Sequence, residues 1–147
     1  KGAEWIYRWV HQALIDVLVE MGSEPNFSVP TSASAEPPFL CFQRRSRWDL
    51  EIGDMKILGS AQRSYRGGIL QHGSLLLESS PLAPHLGGLF DHVSPCSVNE
   101  LIDRWSQRIA QNAGLILESN TLDPVQRTTC AQLAAEKYGG EKWTKKR

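Results

Sequence analysis

The chain of 147 residues carries no net charge, because sixteen lysines and arginines balance sixteen aspartates and glutamates. Nothing global therefore draws it to nucleic acid or to an anionic membrane surface, and charge-driven partners must be read from local patches. No apolar run approaches the roughly 18 residues that a membrane span needs, and no secretory signal is read at the start. No membrane association is expected. Cysteine is scarce: Cys41, Cys96 and Cys130 are odd in number and far apart. They suit the reduced thiols of a cytoplasmic protein better than a disulfide framework, and no pair has zinc-ligand spacing. His85, Asp91, His92 and Cys96 are ligand types in an irregular loop without a recognised pattern. Walker loops, G-x-S-x-G elbows and H-E-x-x-H are all absent. No metal and no cofactor are expected.

What is there begins with periodicity. Trp5, Ile6, Trp9, Val10, Ala13, Leu14, Val17, Leu18 and Met21 recur at helical spacing, which predicts an amphipathic helix over 3–21 stopped by Gly22, with both tryptophans in its core. The chain opens at Lys1 without a methionine and enters that helix almost at once, which reads as a cut chain with more upstream. Residues 23–38 carry four prolines and no period, and are expected to be a loop. Trp48, Leu50 and Ile52 alternate with Asp49 and Glu51, a half-buried strand, and Gly53-Asp54 is a two-residue hairpin turn. The return strand starts at Met55 and puts Lys56, Leu58, Ser60 and Gln62 on one face. Arg63 to Gly68 reads as a basic connection, with a turn marked by Gly67-Gly68. Ile69 to Glu78 has few charges and is expected to be a central strand, buried on both faces and interrupted by His72 and Gly73. After a second loop over 79–96, Ser-Val-Asn-Glu at 97–100 is a capping box. It opens a helix with Val98, Leu101, Ile102, Trp105 and Ile109 on its buried stripe, closed by Gly114. A short strand is expected over Leu115–Glu118. Asp123-Pro124 starts a last helix running to Tyr138, and a basic tail follows.

Three side chains stand out chemically. A free cysteine is only a few per cent thiolate at neutral pH, and a cation held beside it makes thiolate the majority form. Arg44, Arg45, Arg47 and Lys56 are near enough to Cys41 in sequence to be that cation. The ordinary alternative is a buried cysteine acting as a small hydrophobe. Lys56 is either a solvated lysine on an edge strand or a fixed charge over a pocket floor made by Gly59, Ser60 and Ala61. His72, inside an apolar strand, must find hydrogen-bond partners and is either structural or able to orient a substrate carbonyl.

The run Lys56-Ile57-Leu58-Gly59-Ser60-Ala61-Gln62, followed by Gly68-Ile69-Leu70-Gln71-His72-Gly73-Ser74, resembles the lipoate–protein ligase and octanoyltransferase family. Cys41-Phe42, fifteen residues before Lys56, with Ser46 and Asp49-Leu50 between, is similar to its cysteine-dependent octanoyltransferase branch. Ala134-Ala135-Glu136-Lys137-Tyr138, Trp143 and Lys146-Arg147 resemble the branch's carboxy-terminal ending.

The resemblance implies an α+β fold shared with biotin protein ligase, a mixed or antiparallel sheet packed with helices. The chain would be the carboxy-terminal portion of one such catalytic domain, with 1–96 giving the core helix, loop and strands and 97–147 the last helices and tail. Cys41 would form an acyl-thioester, Lys56 would favour its thiolate, and Gly59, Ser60, Ala61, Gln62, His72 and Gly73 would line the acyl pocket. The donor would be acyl carrier protein and the acceptor a lysine of a lipoyl domain such as the glycine-cleavage H protein. The alternatives are an ATP-dependent lipoate–protein ligase, which does not need the cysteine, and a non-catalytic fragment that binds lipoyl domains. The family's arginine- and glycine-rich motif does not precede the first helix here. An upstream segment or partner chain is therefore expected to supply the rest of the groove, and the chain alone is expected to be inactive.

Overall fold

A computed structural model describes residues 3–30 and 40–145. The later part of the expected proline-rich loop and the Lys146-Arg147 end lie outside them. The chain forms two compact units, Lys1–Ile116 and Leu117–Arg147.

In the first unit, helix α1 spans Glu4–Glu20 and is stopped by Gly22 at φ 83°. Its inward stripe is His11, Ala13, Leu14, Val17 and Leu18. Trp5 is 61% exposed, which corrects its expected place in the core. One turn short of the buried stripe, it stacks at a tilt on Trp9, with ring centroids 6.1 Å apart.

Four strands form one antiparallel sheet in the order β1-β2-β3-β4: β1 Pro25–Phe27, β2 Leu50–Ile52, β3 Met55–Tyr65 and β4 Gly68–Leu75. The short β1 was expected to be loop. Its proline lies at the strand's first position, where a missing N–H is tolerated, and its partner is Ile52. Gly53, at φ 57°, makes the first turn. Arg66 and Gly67, at φ 47° and 80°, make the second, a two-residue turn whose two left-handed residues match the strand twist. The basic stretch read as a connection is thus the end of β3 plus that turn.

The strand expected to be central lies instead at the edge of the described sheet. Leu70 is 63% exposed, and the pairing runs unbroken from Leu58↔Leu75 to Tyr65↔Gly68 through His72 and Gly73. Low charge was misread as burial on two faces, but β4 has a strand neighbour on one side only.

The register shifts between Leu50 and Glu51, and beside that irregularity Lys56, Ile57 and Leu58 are buried in succession. Strict alternation would have turned one of them outward. The core joins Leu14, Val17 and Leu18 of α1 to Leu50, Ile57 and Leu58 of the sheet, with Leu89, Val93 and Leu101 closing it. Each such side chain contributes about 1.5–3 kcal/mol when fully buried.

Helix α2, Val98–Ala113, starts on Ser97, whose hydroxyl accepts from the Glu100 N–H at 3.0 Å, and ends on Gly114 in the left-handed region. Its stripe is narrower than expected: Leu101 is buried, whereas Val98 and Ile102 are about half exposed. Trp105 donates its indole N–H to the Val10 carbonyl at 2.9 Å, and Arg108 pairs with Glu20 and Asp16, so α2 is fastened along α1.

No strand forms over 115–118. In the second unit Asp123 and Gln126 cap α3, Pro124–Gln132, reciprocally. The helix then widens into a π-turn over Leu133–Tyr138 before a short α4, Glu141–Thr144, so the expected helix to Tyr138 changes character at Leu133. The Tyr138 and Trp143 rings meet edge to face at 4.9 Å. Among the described residues no helix is long and apolar enough to cross a membrane.

Candidate functional site

The site is built on the floor made where β3 and β4 pair with the smallest side chains. Gly59 stands opposite Ser74, Ser60 opposite Gly73, and Ala61 opposite His72. Each glycine is needed there. A Cβ on Gly73 would lie 2.7 Å from the Gly59 carbonyl oxygen and 2.7 Å from the Ser60 Cβ. A Cβ on Gly59 would come within 2.9 Å of the Lys56 Nζ and 3.4 Å of an Asp49 oxygen. Gly73→Ala is therefore expected to cost about 1–3 kcal/mol by prising β4 from β3, read as a lower urea midpoint with unchanged slope.

Lys56 reaches across this floor. Its ammonium is within 2.7 Å of Asp49 Oδ2, donates to the Arg44 carbonyl at 2.8 Å and to the Cys41 carbonyl at 3.3 Å, and lies 5.4 Å from the Phe42 ring centre. At 9% exposure it is not the solvated edge lysine that was the ordinary alternative. An ammonium has three N–H donors, and all three have partners here. Asp49 Oδ2 also accepts the Ser46 N–H at 2.7 Å, so the one oxygen serves both donors. The pair holds the 3-10 turn Cys41–Gln43 against the sheet through its backbone. Cys41 is exposed and unbridged.

A cavity of about 350 Å³ opens over this arrangement, lined by Cys41, Lys56, Gly59, Ser60, Ala61, His72 and Gly73 together with Phe42, Arg44, Ser46, Asp49 and Ser74. Seven of the eight residues singled out in the sequence thus share one cavity. Gln62 lies outside the lining: its amide donates to the Ala3 carbonyl at 3.0 Å and to Gln71 Oε1 at 2.7 Å, tying α1 to the hairpin. A second cavity of about 280 Å³ adjoins it behind Ser60, His72 and Gly73, and its walls include Val10, His11 and Trp105. Among the described residues no three His, Cys, Asp or Glu side chains gather as a metal site.

Two further residues belong to this site: Asp49, which the sequence showed only as part of the family-like motif and without a role, and His11, which it missed. Asp49 falls on the outward phase of the Trp48–Ile52 alternation, yet it precedes β2 and folds inward. His11 lies on the α1 stripe with Leu14 and Leu18, and a polar residue on a buried face was the available signal. It is 1% exposed. Its Nδ1 contacts the Trp48 carbonyl, which can only accept, so Nδ1 carries the hydrogen and Nε2 accepts from the Ser60 hydroxyl at 2.7 Å.

Burial holds His11 below its ordinary 6.5, against the opposing pulls of the Trp48 hydrogen bond and the Asp49 charge. As pH falls through that value, the unfolded chain binds more protons than the folded one. His11 therefore contributes full stability above about pH 6.5, and that contribution is lost on acidification. A His11→Asn variant, which keeps a donor and an acceptor, is expected to show a flatter Tm between about pH 7 and 5.

The geometry has known counterparts. Residues 1–112 match the lipoyl protein ligase A/B catalytic domain. The octanoyltransferase LipM of Kyrpidia tusciae is 28% identical over 93% of this chain and 60% of its own length. The chain thus spans about three fifths of that curated relative. Among solved structures, lipoate-protein ligase A bound with ATP superposes with a TM-score of 0.76 at 17% identity, over 97% of this chain and 59% of its own. A bi-partite lipoate protein ligase of an archaeal lipoylation system, from a structural analysis of it and its E2 lipoyl domain from Thermoplasma acidophilum, gives 0.69 at 17% identity, over 95% and 56%. These likenesses support the α+β fold. Since the family match covers most of the sequence, the chain belongs to the lipoyl protein ligase A/B catalytic domain family.

Proposed function

We propose that this chain carries the nucleophile-bearing part of an acyltransferase that moves an octanoyl or lipoyl group onto a lysine of a lipoyl domain. The observation that carries the reading is the shared cavity: an exposed cysteine, Cys41, lines it together with a floor of small residues, and a buried lysine holds the turn that carries the cysteine.

Cys41 attacks the carbonyl of an acyl thioester on a carrier protein, a new thioester forms, and the carrier's thiol leaves. The acceptor amine then attacks the acyl-enzyme, giving an amide and returning Cys41. A covalent intermediate splits one hard transfer into two easier ones, and thioester to amide is downhill without ATP. Lys56, with Asp49 at its back, keeps the Cys41 turn in register with the floor and sets a positive charge beside it. The carrier fits acyl carrier protein and the acceptor fits a domain such as the glycine-cleavage H protein; the Thermoplasma ligase belongs to a lipoylation system with an E2 lipoyl domain. An upstream segment or partner chain would complete the groove, and the cytoplasm is the compartment where such carriers and reduced thiols coexist.

The ligase reading remains the alternative, since the solved relative named above binds ATP. The assay that separates them supplies octanoyl-carrier protein and an acceptor domain without ATP, to the chain alone and to the chain complemented with its family's arginine–glycine segment. The transferase reading expects octanoylated acceptor in the complemented reaction. Product that appears only with ATP and free octanoate would establish the ligase. Binding of the acceptor with neither product would establish the non-catalytic reading.

A further inference from the structure

We infer that His11 is a positioning residue for the Cys41 turn: from the α1 side of the sheet it fixes the peptide that aims Asp49 at Lys56. The inference rests on the acyltransferase reading above, which gives that turn its chemistry.

The Ser60 hydroxyl turns toward α1, so the Ser60–His11 pair lies on the sheet face opposite Gly59, Ala61 and the Lys56–Asp49 pair. The peptide between Trp48 and Asp49 bridges the two faces. Its carbonyl accepts the His11 Nδ1–H, and its N–H donates to the Ser46 carbonyl at 3.0 Å. Among the described residues no backbone amide bonds that carbonyl, so His11 is its donor. The next carbonyl, of Asp49, accepts the Ser28 N–H at 2.8 Å. Two peptide planes flank each Cα, and fixing both fixes the direction of its side chain.

Asp49 needs such a clamp. Leu50 and Ile52 are buried on β2, so strand alternation turns residue 49 the other way, yet its side chain is 6% exposed. The Ser60 hydroxyl, donating to His11 Nε2 at 2.7 Å, keeps the ring hydrogen on Nδ1, which is the tautomer the clamp requires. From Asp49 the path to the cysteine is short. Its Oδ2 holds the Lys56 ammonium at 2.7 Å, and the ammonium holds the Arg44 and Cys41 carbonyls at 2.8 and 3.3 Å. A carboxylate that swings by about 1 Å releases that ammonium from the turn, and a misplacement of that size costs a reaction about 100-fold.

The test contrasts two amides at one position. In His11→Asn the amide nitrogen takes the place of ring Nδ1, whereas in His11→Gln it takes the place of Nε2 and meets Ser60 instead of Trp48. The first readout is native-state hydrogen exchange on the complemented protein, which involves no acyl chemistry. The Ser46 N–H, bonded to Asp49 Oδ2, reports where the carboxylate stands. The Leu89 N–H, bonded to the Leu76 carbonyl at 2.8 Å, reports the stability of the unit as a whole. His11→Gln is expected to speed Ser46 exchange about tenfold more than Leu89 exchange, and His11→Asn to change the two alike. The second readout is single-turnover acylation of Cys41. It is expected to slow about tenfold or more in His11→Gln with the donor KM unchanged, and to return most of the way in His11→Asn. A merely structural histidine would change Ser46 and Leu89 exchange equally and leave acylation by the folded protein intact. Either result in His11→Gln overturns the inference, and so does a folded His11→Asn that loses Ser46 protection or acylation. Where His11→Gln does not fold, His11→Asn decides by that criterion alone. Failure of the unsubstituted protein to acylate Cys41 overturns the acyltransferase reading, whereas the exchange measurement still decides whether His11 holds Asp49 in place.

Discussion

Lys56→Met is expected to destabilise the first unit by about 3–5 kcal/mol, measured by urea denaturation. The side chains of Lys56 and Asp49 are 8% and 6% exposed. Removing the cation leaves a desolvated carboxylate whose remaining bond is to the Ser46 N–H, and two carbonyls lose their donor together. The size of the loss comes mostly from that stranded charge rather than from the attraction itself. The double variant Lys56→Met, Asp49→Leu should therefore be more stable than Lys56→Met alone, because it removes the stranded charge along with its partner. Its Cys41 turn would still have lost the ammonium that pins it. Transfer activity would then stay low in a protein whose stability had largely returned, which separates the positioning role of Lys56 from its role in the fold. Equal stability of the Lys56→Met variant and the unsubstituted protein would mean that the pair is solvated in solution.

Cys41→Ala is expected to lower acyl transfer by at least about 10³-fold while leaving the urea midpoint nearly unchanged. Its side chain is exposed, and truncating an exposed group away from caps and cores changes stability by about 0.5 kcal/mol or less. The contrast with Lys56 is informative, since the two residues are joined by a single hydrogen bond through the Cys41 carbonyl. One change removes chemistry without stability, and the other removes both.

The sequence disclosed the parts of this fold whose signals are local. Gly22, the Gly53 turn and the Asp123–Pro124 helix start each depend on a few neighbouring residues and form as their patterns predict; of the capping box at 97–100 the Ser97 half forms, while the Glu100 carboxylate pairs with Arg104. Placement in the sheet was harder. The apolar character of Ile69 and Leu70 is the same whether a strand is central or at an edge, and only the pairing partners decide between them. The turn expected at Gly67-Gly68 lies one residue earlier, because Arg66 takes the left-handed conformation ahead of Gly67. At the site, short-range motifs brought Cys41, Lys56 and the Gly59–Ala61 floor together on paper, and the same residues share a cavity. His11 escaped, and Asp49 was quoted without a role, because their contacts are long-range or break a period: His11 meets Ser60 across 49 residues of sequence, and Asp49 turns against its strand's alternation. A buried polar group on an apolar stripe is the mark that such residues leave, and it is legible only once the stripe is known to face the core.

The most direct test of the central claim is intact-protein mass spectrometry after incubation with octanoyl-carrier protein, on the chain complemented with its family's upstream segment. One octanoyl group per chain is expected, mapped to Cys41, discharged by an acceptor lipoyl domain and absent in Cys41→Ala. An unmodified chain that nonetheless octanoylates the acceptor, or an adduct that survives in Cys41→Ala, would contradict it.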